Sequence, residues 1–292
     1  MKLWQNFLRP NSVAEALQAL VASPTPACII AGGTDLMLDL QQGNHPPVHT
    51  LVDVTAIPAL TRLEVRDGAL FVGAAVPLSQ VAASLLVREH AEALVEACCL
   101  IGGPQVRNVA TLGGNVAHAL PAADGTIALM CLDVQAEIVD LTGSRRVPFP
   151  ELFVGPGKSA LKSGHELLVG FHIPLHISGQ ASAFRRVMRA QGIALPILNL
   201  SVWLERRNGR ITRVRVSSGP AGPTPRRIIS AEDALCGDPL NNEVIERSLA
   251  ALLEEVSFRT SPRRATADYR RHLAGVLLKE TLESAWQRAG TL

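Results

Sequence analysis

The chain has 292 residues, 47% of them hydrophobic and 18% charged, which sets it apart from disordered proteins and gives length enough for two or three compact units. Its 28 Lys and Arg against 26 Asp and Glu leave a formal charge of +2, so the charge balance calls for neither nucleic acid nor an acidic membrane surface. Five cysteines, Cys28, Cys98, Cys99, Cys131 and Cys236, form no C-x-x-C pair, and such a set fits neither a disulfide framework nor a zinc site; it reads as buried thiols in a reducing compartment.

No apolar run approaches the roughly 20 residues of a membrane span, which makes a cytoplasmic protein the simplest expectation. From Ser12 to Val21 the apolar residues Val13, Ala16, Leu17, Leu20 and Val21 fall at helical spacing, with Ser12 as N-cap and Glu15 as its capping-box partner. Ala27 to Ile30 is a short apolar run that ends at Gly32-Gly33, and Thr34-Asp35 opens a Leu/Met-rich stretch: strand, tight loop, helix start. Leu51 to Val54 and Leu70 to Val76 read as strands, and Leu78 to Cys99 as helical, with acids and His90 on the polar side.

Leu100 to Gly125 holds five glycines and two prolines among small apolar residues, the composition of a structured loop folded around something. Ala136 to Leu141 and Leu167 to Ile173 are further strands, and Ser178 to Gln180 marks a boundary. Beyond it, Leu198 to Glu205 and Ile211 to Ser217 alternate as strands do, joined by the hairpin signal Asn208-Gly209. Two amphipathic helices, Glu243 to Val256 and Thr266 to Arg288, complete an α+β unit.

Two glycine-rich segments carry the chemistry: Ala31-Gly32-Gly33-Thr34-Asp35, and the stretch from Gln105 through Ala110, Thr111, Leu112, Gly113 and Gly114 to Asn115. Paired glycines let successive backbone N–H groups face one concavity, the geometry that binds a phosphate or pyrophosphate, and Thr34, Thr111 and Asn115 can add side-chain bonds. Either pair alone is a tight turn; together they point to one dinucleotide-sized ligand. No G-x-G-x-x-G follows a strand, so a Rossmann site is unsupported. Gly157-Lys158-Ser159 imitates the end of a phosphate-binding P-loop, but Leu152 stands where that loop needs its first glycine. His118, Asp124 and His165 are read as structural groups, since a lone histidine in a loop or strand is more often hydrogen-bonded than catalytic.

A-G-G-T-D, then Q-V-R-N-V-A-T-L-G-G-N, then P-A-A-D resembles the FAD subunit of the xanthine dehydrogenase and carbon monoxide dehydrogenase flavoproteins, within the molybdenum hydroxylases. The similarity runs on through Gly155 to Ile173 and Ala221 to Arg226 to the Tyr269-Arg270-Arg271-His272-Leu273 segment. The resemblance implies an α+β fold: a two-part FAD-binding domain of the vanillyl-alcohol-oxidase-like type over residues 1–176 (1–55 and 56–176), then a carbon monoxide dehydrogenase flavoprotein C-terminal-like domain over 181–292. Carried over by position, the FAD contacts are Cys28, Ile29, Ile30, Ala31, Gly32, Gly33, Thr34 and Asp35 in the first loop and Ala110, Thr111, Leu112, Gly113, Gly114 and Asn115 in the second. Asp124 matches an acidic cofactor contact, and Leu168 and Arg185 match positions near the isoalloxazine.

The implied role is electron transfer through FAD, with no catalytic side chain and no metal on this chain. Its partners would be a 2Fe–2S iron–sulfur subunit and a molybdopterin-containing large subunit, and its acceptor NAD or another molecule. The sequence departs from the family where Gly192 replaces an acidic residue before Ile193-Ala194, which leaves the acceptor open. Arg263, Arg264, Arg270 and Arg271 form a basic cluster expected to face solvent or a partner subunit. Two other classes stay in view: a self-sufficient FAD-dependent oxidase, and a scaffold subunit without FAD.

Overall fold

The structure is a computed structural model that describes residues 2–189, 195–262 and 264–290. Gly192, Ile193, Ala194 and Arg263, singled out in the sequence, lie outside those residues. Three main sheets follow one another along the chain. The first takes β1 (Asn6–Leu8), α1 (Val13–Ala22), β2 (Ala27–Ile30), α2 (Leu36–Gln42) and β3 (Thr50–Asp53) into a parallel sheet ordered β1-β3-β2. Parallel neighbours need crossover connections, and the two helices supply them. At the start of α1, Ser12 Oγ accepts the Glu15 N–H at 3.2 Å. Glu15 Oε2 reaches back to the N–H of Asn11 at 2.8 Å, one residue earlier than a standard capping box.

β4 (Leu63–Arg66) and β5 (Ala69–Gly73) open the second sheet. The amphipathic run that follows is three helices, α3 (Leu78–Ala83), α4 (Leu85–His90) and α5 (Glu92–Leu100), and the expected loop beyond it holds α6 (Pro104–Arg107) and α7 (Leu112–Ala117). α8 (Asp124–Cys131), β6 (Gln135–Asp140), β7 (Gly143–Pro148), a small ribbon of β8 (Phe153–Gly155) and β9 (Lys158–Ser159), and β10 (Leu167–Pro174) complete this part. The resulting antiparallel order is β4-β5-β10-β6-β7. Leu70, Val72, Ala136, Ile138 and Phe171 bury one face against α3, α5 and α8, while Phe71, Leu167 and Val169 bury the other against α1 and the first sheet.

The third sheet is β11 (Gln180–Met188), β12 (Pro196–Arg207), β13 (Arg210–Gly219) and β14 (Arg226–Arg227) in sequence order, followed by α9 (Ile229–Leu235), α10 (Asn242–Glu255) and α11 (Ala267–Ala289). The β12–β13 turn is the expected one, with Asn208 and Gly209 at φ 50° and 71°. Side chains alternate across a strand, and here the alternation assigns each face a partner. Ala181, Ala183, Leu198, Leu200, Val202 and Leu204 pack in the core with α10 and α11. Phe184 and Trp203 join the core built on α5 and α8. By the register Ser182–Trp203, Phe184–Ser201 and Arg186–Asn199, Arg186 belongs to the α5/α8 face and Arg185 to the opposite one.

Phe184 is 1% exposed and fills the seam between the third sheet and those helices. Phe184→Ala should lower unfolding stability by about 3–5 kcal/mol through the cavity it leaves, measured by urea titration.

Candidate functional site

A cleft of about 1160 Å³ runs between the first sheet, the helical layer and the third sheet, larger than the roughly 300–1,000 Å³ of ordinary small-molecule pockets. Residues 28–35 line it without a gap, as do Ala110, Thr111, Gly113, Gly114, Asn115, Asp124 and Leu168. Two of the residues expected at the cofactor stand elsewhere. Leu112 is fully buried in the helical core behind the second loop. Arg185 turns to the other face of β11, where its Nη1 donates to Glu96 Oε1 at 2.9 Å and its Nη2 to Ser284 Oγ at 3.0 Å. Arg186 lines the cleft in its place.

The two loops are built differently. The first leaves β2 at Ile30, whose carbonyl accepts the Val54 N–H at 3.0 Å, and enters α2 through the Met37 N–H to Gly33 O bond at 3.0 Å. Between them, the N–H groups of Gly32, Gly33, Thr34 and Asp35 have no protein acceptor among the described residues. The second loop spends most of its donors on protein acceptors. Leu112 N–H bonds Val76 O at 3.1 Å, Gly113 N–H bonds Ala74 O at 2.8 Å, and Asn115 N–H bonds Thr111 O at 3.0 Å. Gly114 N–H is capped by Thr111 Oγ1 at 3.1 Å. A row of N–H groups without protein acceptors is thus present in the first loop and not in the second. The second is a wall strapped to the turn after β5; the polar groups it leaves over include the Thr111 N–H, which has no acceptor among the described residues, and Asn115 Oδ1, which is buried without a partner.

Close approach explains two of the glycines. A Cβ on Gly32 would lie 2.1 Å from Val109 O, and one on Gly113 would lie 2.6 Å from both Ala74 Cβ and Ala74 O. Backbone therefore packs directly on backbone where the loops meet and where the second loop meets β5.

At one end of the cleft, Asp124 opens α8 and is 4% exposed. Arg186 Nη1 pairs with its Oδ2 and Nη2 bonds Leu100 O; Asn199 Nδ2 donates to Asp124 Oδ1 at 2.7 Å and to Ala122 O at 3.1 Å. Burial pushes the Asp124 carboxyl up, and the Arg186 charge and Asn199 donor oppose the shift. Arg186 Nε and Asn199 Oδ1 remain buried without partners among the described residues. Buried polar atoms are normally satisfied; of the three residues with orphaned atoms, Asn115 and Arg186 line the cleft, and Asn199 stands behind them.

His118 also lines the cleft, whereas His165 is exposed and bonds Ser163 O. The cysteines are not uniformly buried as expected: Cys98 and Cys131 are, Cys28 is half-buried on the cleft, and Cys99 and Cys236 are exposed. Burial pushes the Cys28 thiol up, away from a reactive thiolate. Among the described residues no group of three or more His, Cys, Asp or Glu could hold a metal, and no helix is long and apolar enough to cross a membrane.

An α+β protein with backbone donors rather than a Rossmann fingerprint around a dinucleotide-sized cleft is a flavoprotein-type architecture. Residues 3–176 match the family described as FAD binding domain in molybdopterin dehydrogenase, and residues 182–285 match the CO dehydrogenase flavoprotein C-terminal domain. The chain belongs to this FAD-binding family of molybdenum hydroxylase flavoproteins; FAD is its cofactor and it is an oxidoreductase subunit. It is 31% identical to the xanthine dehydrogenase FAD-binding subunit of Escherichia coli O157:H7, over 98% of this chain and 97% of that one. It is 26% identical to the carbon monoxide dehydrogenase medium chain of Hydrogenophaga pseudoflava, over 96% of each. Carbon monoxide dehydrogenase from the same organism superposes with a TM-score of 0.91 at 26% identity, covering 97% of this chain and 98% of that one. Quinoline 2-oxidoreductase from Pseudomonas putida 86 superposes with a TM-score of 0.89 at 26% identity, covering 98% of each.

Removing one partner of a buried pair strands the other charge. Arg186→Met should therefore cost about 3–5 kcal/mol of stability, and Asp124→Asn in the Arg186→Met background should recover part of it. A double-mutant cycle by urea denaturation reads the coupling.

Proposed function

We propose that this chain carries electrons between a 2Fe–2S iron–sulfur subunit and an acceptor, as the middle member of a complex whose large subunit holds molybdopterin. The observation that carries the reading is the first loop: a row of unpaired backbone N–H groups on a dinucleotide-sized cleft, facing a wall with orphaned side-chain polar atoms. Four successive N–H donors form a nest for a pyrophosphate. In this reading residues 28–35 hold the diphosphate, and Ala110, Thr111, Gly113, Gly114 and Asn115 form the opposing wall. Asp124, Leu168 and Arg186 bound the far end, with Arg185 and Leu112 supporting them from behind. The cofactor's domain is residues 1–176, split near residue 55, and 181–292 is the second domain.

Bound FAD supplies a couple that takes up electrons singly and gives them up as a pair. The protein's own groups position and insulate. Asp124 is tied into its pair with Arg186 and its bond from Asn199, and the Cys28 thiol is held protonated, so neither is free for acid–base or covalent work on a substrate. The names of the relatives, an FAD-binding subunit and a medium chain, support the heteromeric reading over a self-sufficient oxidase or an empty scaffold. A cytoplasmic location and NAD as the acceptor go with this reading.

The purified chain should be yellow with about one FAD, and heat or acid should release all of the colour; flavin left on the pellet would contradict noncovalent binding. In stopped-flow absorbance, xanthine alone should leave the flavin oxidised, whereas NADH should bleach it. Bleaching by xanthine alone would sink the subunit reading. Gly32→Val, which drives a side chain into Val109 O, should give folded protein with little or no flavin. Near-stoichiometric FAD in that variant would remove the loops from the pyrophosphate.

A further inference from the structure

The C-terminal wall of the cleft carries more positive charge than the cofactor reading uses. Arg259, Arg264 and Arg270 all line the cleft, and none of them forms an ion pair among the described residues. Arg270 is only 2% exposed. Its Nε donates to Ile197 O at 3.1 Å and its Nη1 to Arg259 O, so two carbonyls fix the guanidinium in the wall without neutralising it. Burial, then the charges of Arg264 and Arg259, pull its pKa down, so both rim guanidiniums bear on the buried one.

Arg259 and Arg264 are exposed at the rim. A tight turn presents the second of them: Ser261 N–H bonds Ala265 O at 2.9 Å and Arg264 N–H bonds Ser261 O at 3.0 Å, and the Ser261 side faces the same cleft. A buried cation without a counter-ion is costly unless an anion arrives. The proposed resident diphosphate already has its donors in the first loop. An anion held at an exposed rim is one that exchanges with solvent, and a concave basic rim raises its arrival rate.

We propose that Arg259, Arg264 and Arg270 form the site that takes the pyrophosphate of a nicotinamide-dinucleotide acceptor. This rests on the reading of the acceptor as NAD, and assigns the residues that would select it over a neutral carrier. The probe is ADP-ribose, which has the diphosphate and lacks the nicotinamide, titrated by calorimetry into the FAD-loaded full chain, with flavin content read by absorbance. In the Arg259→Gln/Arg264→Gln double variant, altered only at exposed positions, ADP-ribose affinity should fall roughly tenfold or more at unchanged flavin content. Wild-type affinity should also fall with added salt. Equal affinity in the two proteins would overturn the arginine site while leaving the acceptor reading intact. Loss of flavin from the double variant would overturn it too, by giving the wall to the cofactor. If FAD-loaded wild type neither binds ADP-ribose nor is bleached by NADH, the acceptor reading fails and this site with it.

Discussion

Everything in the cleft depends on one backbone contact, the approach of Gly32 to Val109 and Ala110. The two loops belong to different sheets, and a side chain at position 32 would hold them apart. Their anchoring is unequal. The second loop has its N–H groups locked onto Ala74 and Val76, so it is a rigid surface against which the first can rest. The first keeps its donors free because its conformation is set by β2 and α2 on either side and by that contact. In the proposed reading a diphosphate would meet donors already in place, with little ordering cost left for the binding step.

The third sheet closes the cleft by a second constraint, the treatment of an edge strand. β11 is the outer strand of its sheet, and outer strands leave N–H and C=O groups unpaired. Here the Phe184 N–H is taken by Glu96 Oε2 at 2.7 Å and Ser182 O by Arg288 Nη1 at 2.7 Å. Glu96 also receives Arg185 and Arg288. Burial alone would push its carboxyl up; Arg288, the Phe184 N–H and Arg185 outweigh that and hold it below the usual carboxylate range. Arg185 thus works as a clamp between α5, β11 and α11.

Much of this was legible in the residues, and the parts that were not share a cause. The glycine pairs, the Ser12 cap, the β2–loop–α2 unit and the Asn208-Gly209 turn are local signals, readable because their chemistry acts over a few residues. β11 was missed because Gln180, Ser182, Arg185 and Arg186 interrupt the apolar alternation, and without the strand there was no basis for telling Arg185 from Arg186. β1 and β4 are too short to show a period at all. That the Leu112 and Gly113 donors are occupied depends on Val76 and Ala74, 36 and 39 residues away in sequence, and no local pattern reports such a partner.

The same distinction separates the two sets of charges in the cleft. Asp124 and Arg186 form a neutral pair whose members come from α8 and β11, and such a pair adds little net field while tying two parts of the chain together. Arg259, Arg264 and Arg270 come from one stretch at the start of α11, and no acid answers them among the described residues. In sequence, Arg264 and Arg270 read with Arg263 and Arg271 as a basic cluster expected to face solvent or a partner, and Arg259 was not singled out. Folding brings this stretch against β12 through the Arg270–Ile197 bond, and that turns an unremarkable run of arginines into one wall of a binding cleft. The cleft is therefore polarised: backbone N–H groups without protein acceptors on the first loop, and arginines without acidic partners among the described residues on the C-terminal wall.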